Sequence, residues 1–183
     1  MKDPWRYRNK AEYAVAAGPN GRAAIGMREP RSHRVLDLDD CPLQHPSSAL
    51  AIAALRAHIK EHPAEIPTQL VTRVNAAGRL MAIVGGSPAP RGLAALADRM
   101  FHEVPGMASL YACDYGRRPA HALDGATRLV RGDATIAESI AGLSFELSPK
   151  SFFQVNRSQA EALYALAVDA AAPAGNETAV DAY

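Results

Sequence analysis

Two apolar runs at residues 69–75 (QLVTRVN) and 79–85 (RLMAIVG), separated only by Ala76-Ala77-Gly78, constrain this chain most. Runs of that length around a short glycine turn predict a β-hairpin and so commit the middle of the chain to a sheet. A second hairpin is predicted upstream, where residues 7–17 (YRNKAEYAVAA) break at Gly18-Pro19-Asn20-Gly21 before RAAIGM resumes. HRVLDL at 33–38 gives a third short strand that exits into Asp37, Asp39 and Asp40. SLYACDY, TRLVRG and LSFELS read as further strands, punctuated by Gly116, Gly125 and Gly132.

Three stretches carry helical spacing instead. Leu50, Ala53, Ala54 and Ala57 share a face between the start signal Pro46-Ser47-Ser48 and the stop Glu61-His62-Pro63. Leu93, Leu96, Ala97, Met100 and Phe101 repeat the period after Pro90, and residues 158–172 repeat it again before Gly175. The last residues, ETAVDAY, read as a strand closing on Asp181, the way the first strand of a nucleotide-type α/β domain commonly opens. The expected fold class is α+β: a hairpin-rich antiparallel domain with two helices, then the first helix and strand of a Rossmann-like domain.

The 183 residues are 48% apolar and 21% charged, which fits a globular domain and excludes disordered, collagen-like and disulfide-scaffold classes. Net charge is +1, but residues 1–35 carry a local +5, a basic arm on a mildly acidic body. No run approaches the ~20 apolar residues that span a bilayer, and the N-terminus lacks a signal-peptide core, so the expectation is a cytoplasmic monomer with no membrane partner. The cysteines, Cys41 and Cys113, have no metal-ligand spacing. His58 and His62 stand four apart without further ligands and read as a solvated helix end. No phosphate-cradling glycine loop and no nucleophile elbow is present.

One stretch stands apart: Ser148-Pro149-Lys150-Ser151-Phe152-Phe153-Gln154-Val155-Asn156, followed by a helix and TAVDAY. It resembles the opening of the catalytic domain of the AdoMet-dependent RNA (uracil-5-)-methyltransferases. Arg8-Asn9-Lys10 resembles that family's Tyr-Arg-Asn-Lys segment, and Asp40-Cys41-Pro42-Leu43-Gln44 resembles the segment bearing the last cysteine of its iron-sulfur cluster. The resemblance covers nearly the whole chain and implies a central domain at 1–156 and the start of an AdoMet-binding domain at 157–183.

The resemblance further implies AdoMet contacts at Gln154 and Tyr183, and a substrate uridine in rRNA or tRNA. Gln154 is expected as a buried amide. Cys41 has three readings, as a small hydrophobe, a nucleophile, or a ligand of a [4Fe-4S] cluster in a longer parent chain. The family adds a cysteine thiolate to uracil C6 and later removes the C5 proton with a base. Both groups belong beyond Tyr183 in the family, so the chain reads as an inactive fragment. Arg6, Arg8 and Lys10 alternate and are expected to form one basic RNA-facing row on a strand. Phe152 and Phe153 read as core, and Asn156 as the cap of the last helix with Gln159 at its third position. The alternatives are a non-catalytic RNA-binding module, or a piece that folds only with its missing half.

Overall fold

The computed structural model describes residues 4–18, 22–86, 93–115 and 123–180. Its elements are β1 (Lys10–Ala17), β2 (Ala23–Arg28), β3 (Val35–Asp37), α1 (Pro46–Glu61), β4 (Gln69–Val74), β5 (Leu80–Gly86), α2 (Ala94–Glu103), β6 (Met107–Asp114), β7 (Ala126–Gly132), β8 (Ile136–Ile140), β9 (Leu143–Leu147) and α3 (Arg157–Ala171). Seven strands form one sheet in the order β3-β2-β1-β4-β5-β6-β7, and β8 pairs with β9 in a separate hairpin. The predicted hairpins β1–β2 and β4–β5 are both antiparallel.

Strands β5 and β6 are parallel, a pairing that the expected hairpin-rich domain did not specify. The reason is α2: a parallel neighbour has to be reached by a crossover, and the helix between β5 and β6 supplies it. Both faces of this central part are covered. Leu70, Val74, Leu80, Ala82, Val84 and Leu110 share one cluster with Ile52, Leu55 and Ile59 of α1 and Leu96 and Met100 of α2. Their alternating neighbours Val71, Met81, Ile83, Tyr111 and Cys113 face the other way, into a cluster closed by Ile136, Leu147 and Phe153. Side chains alternate along a strand, so a run apolar at every position is buried on both sides.

Close approach fixes the second layer locally. A Cβ at Gly85 would lie 2.2 Å from the ring and hydroxyl of Tyr115, so only glycine admits that ring against β5. In the β4–β5 turn Gly78 has φ of 77°, the left-handed region that turn demands. Helix α1 starts where Pro46 requires, with His45 as its cap accepting from the Ser47 amide at 3.2 Å.

Several expectations need correcting. His58 is buried at 1% exposure and bonded to Glu65 at 3.1 Å, not solvated, because the chain turns back after α1 and covers it. Strand β8 was not anticipated. Phe153 is half-buried, but Phe152 is 84% exposed and is not core. Residues 177–180 are not strand, as no described strand lies beside them to complete a ladder, and residues 181–183 fall outside the described residues. Only Ala160 of α3 is buried, so that helix stands with its apolar side chains outward.

Candidate functional site

A short strap, residues 5–9, runs ahead of β1 between two other segments. On one side the Arg6 amide donates to the Pro42 carbonyl at 2.8 Å and the Arg8 amide to Leu43 at 3.0 Å. On the other, the Asn9 amide donates to the Val155 carbonyl at 3.0 Å, and Asn9 Nδ2 donates to the Gln154 carbonyl, also at 3.0 Å. The Asn9 carbonyl accepts from the Val74 amide at the end of β4. Asn9 thus ties the sheet to the Phe-Phe-Gln-Val-Asn run. Arg8 bridges both Gln44 and Asn156.

The basic row therefore does not form as a strand face. Arg6 has φ of 56°, which breaks the extended backbone, and β1 begins only at Lys10. Its guanidinium grips Asp40 through two bonds of 2.7 and 2.6 Å and also reaches the Cys41 and Gln44 carbonyls. That hydrogen bonding holds the Asp40 carboxyl below the usual range. Lys10 pairs with Glu12 at 2.7 Å. Arg8 has no ion-pair partner among the described residues and lines a cleft of about 230 Å³ with Arg6, Tyr7, His45, Glu138 and Arg157.

Turn chemistry builds the far wall of this cleft. Asn75 Oδ1 accepts from the amides of Ala77 and Arg79, and its Nδ2 donates to the Ala137 carbonyl of β8. Glu138 Oε1 accepts from the Ala76 amide at 3.2 Å and the Ser139 amide at 2.9 Å. The sequence signal for Glu138 was the alternation of Ile136, Glu138 and Ile140, which places a carboxylate in the buried phase of a strand. Arg73 is buried too. It donates through Nη2 to the Ser151 carbonyl, and burial pulls its guanidinium pKa down.

A second cleft, of about 310 Å³, has Phe145, Phe152, Phe153, Gln154 and Tyr164 among its walls. Phe145 meets Phe153 edge-on at 6.1 Å. Gln154 is exposed, contrary to the expected buried amide, because its carbonyl is held by Asn9 while the side chain is left toward the cleft it lines. Asn156 caps α3 as expected, accepting from the Gln159 amide at 3.1 Å.

No family model matches the chain. An RNA methyltransferase of Halalkalibacterium halodurans is 30% identical over 100% of the chain and 42% of its own length. One of Caldanaerobacter subterraneus is 32% identical over 100% of the chain and 43% of its length. The Pyrococcus abyssi tRNA (uracil-54, C5)-methyltransferase, in complex with S-adenosyl-L-homocysteine, shares the fold with a TM-score of 0.71 at 22% identity, over 91% of the chain and 42% of that protein. The chain is thus similar over its whole length to RNA methyltransferases and shares its fold with one of known structure.

The 183 residues span about two fifths of the relatives they match. The strap brings together Arg6, Arg8 and the backbone of Gln154, which sequence distance had kept apart. Tyr183 lies outside the described residues. Cys41 is half-buried and Cys113 buried, both as free thiols. Among the described residues no three metal-ligating side chains converge. No described helix is long and apolar enough to cross a membrane.

Proposed function

We propose that the chain is the RNA-reading and cofactor-facing part of an AdoMet-dependent methyltransferase acting on C5 of a uridine in rRNA or tRNA. One observation carries this: the strap that lines the basic cleft also bonds the backbone at Gln154. A nucleic acid held in the first cleft is thereby tied to a residue that lines the second. In this reading residues 1–156 are the central domain and 157–183 open the cofactor domain.

Each side chain has a stated task. Arg8 and Arg157 hold phosphates at the rim and Arg6 keeps the 40–45 segment in place beneath them, while Lys10, paired with Glu12, turns to the RNA only by giving up that partner. The exposed Gln154 amide offers donor and acceptor together to the polar end of AdoMet, beside the rings of Phe153 and Tyr164. Tyr183 is the second proposed contact. AdoMet supplies an electrophilic methyl group when bound.

The chain's own thiols are poor candidates for attack on uracil C6. Burial pushes the Cys113 thiol up, away from the thiolate that such attack requires. Residues 1–183 are accordingly proposed to bind without methylating. Calorimetry with AdoMet and with an unpaired uridine-containing RNA tests the reading. Gln154→Ala should weaken AdoMet about tenfold, the loss of one or two hydrogen bonds, and leave RNA binding unchanged. Salt-dependent RNA binding with no AdoMet affinity in the wild type would favour the non-catalytic RNA-binding module that the basic strap also fits.

A further inference from the structure

The alternation of β8 reserves position 138 for an apolar side chain, yet a carboxylate occupies it at 3% exposure. Burying a carboxylate is costly unless hydrogen bonds replace its water. Oε1 has two, from the Ala76 and Ser139 amides. A neutral glutamine oxygen would accept both as well, so these two bonds do not themselves call for the charge. Oε2 accepts no hydrogen bond from the described residues, and no described cation stands within ion-pair distance of it. Arg73 senses the charge but donates to Ser151 instead. Glu138 lines the 230 Å³ cleft whose rim carries Arg8 and Arg157.

We infer that Glu138 is a specificity-determining residue, reading the donor edge of one unpaired base held in this cleft. The inference rests on the RNA-binding reading above. The cleft is smaller than the ~300 Å³ where ligand pockets usually begin, which suits a single heterocycle and excludes a duplex. Phosphates meet the arginines outside; the base meets the carboxylate within. Uracil N3 and guanine N1 each carry a hydrogen that a carboxylate accepts. Cytosine N3 and adenine N1 carry no such hydrogen; their donor on this edge is the exocyclic amino group, displaced from the ring nitrogen, so a carboxylate placed to accept from a ring N–H meets a lone pair there instead. Gln154 is not part of this cleft, so the base that Glu138 reads is a neighbour of the methylated one.

The test is fluorescence anisotropy of the full chain with short RNAs that carry one base, flanked by abasic sites. The base is uracil, hypoxanthine, cytosine or 3-methyluracil. Uracil and hypoxanthine, both with the ring N–H, should bind about tenfold more tightly than cytosine and 3-methyluracil. Glu138→Gln, which keeps both backbone bonds on Oε1 and puts an N–H donor in place of Oε2, should abolish or invert that preference in a chain that still melts cooperatively. Equal binding of uracil and cytosine by the wild type overturns the inference while leaving RNA binding intact, and so does an undiminished preference in E138Q. Failure of every RNA to bind, or binding indifferent to salt, overturns the RNA-binding reading itself and the inference with it.

Discussion

Asn9 commits its amide, carbonyl and side chain to three different partners, in β4 and at residues 154 and 155. Asn9→Ala removes only the Nδ2 bond and should cost about 1 kcal/mol in urea melts, with faster proteolysis at residues 152–157 as the strap loosens. An unchanged cleavage rate would show that the backbone bonds alone hold that segment. His58 sets a pH dependence. Burial lowers its pKa more than Glu65 raises it, so the unfolded chain takes up a proton that the folded one refuses. Stability is therefore full above the ordinary histidine value of about 6.5 and falls as pH drops below it. His45 acts in the same direction through its burial. Thermal melts between pH 7.5 and 5 should show the fall below about 6.5, and His58→Gln should flatten part of it. Neither Asn9 nor Glu138 was legible as a site residue in the sequence. Asparagine and glutamate are common polar residues, and only the partners brought to them from 62 and 145 positions away give them a role.

Elements were more legible than their pairing. The boundaries of α1 and the two strands around Gly78 follow from proline, glycine and periodicity, which act within a few residues. Strand β8 was missed because its alternation is broken in hydropathy by Glu138, and the parallel step from β5 to β6 because hairpin and crossover differ only in where the intervening helix packs. Gly85→Ala tests the packing of Tyr115 on β5. The added Cβ has no room at 2.2 Å, and the change should cost about 1–3 kcal/mol in a thermal melt. Arg73 joins β4 to the turn before Phe152. Arg73→Ala leaves the Ser151 carbonyl unpaired and a cavity behind, and should lose about 3 kcal/mol; Arg73→Met keeps the volume and should lose less. Equal losses in denaturant titrations would assign the whole effect to the guanidinium.

The seven-stranded sheet with its two helices and covering hairpin forms the packed body, while α3 contributes only Ala160 to it. Deleting residues 157–183 should then shift the melting temperature by no more than about 3 °C, under about 1 kcal/mol for a chain of this size, and should reduce any self-association driven by exposed Leu163, Leu166 and Val168. A loss of cooperative melting would show that α3 supports the body. By itself the sequence determined most of the local elements, the globular class and the resemblance to RNA methyltransferases, because periodicity, turn residues and the Phe-Phe-Gln-Val-Asn run are all contained in short windows. Only the tertiary structure decided that Arg6 locks onto Asp40, that Asn9 holds Gln154, and that Glu138, Arg8 and Arg157 line one cleft. These depend on sheet register and on a positive φ at Arg6, which bring distant residues within hydrogen-bond reach through the packing of the whole chain.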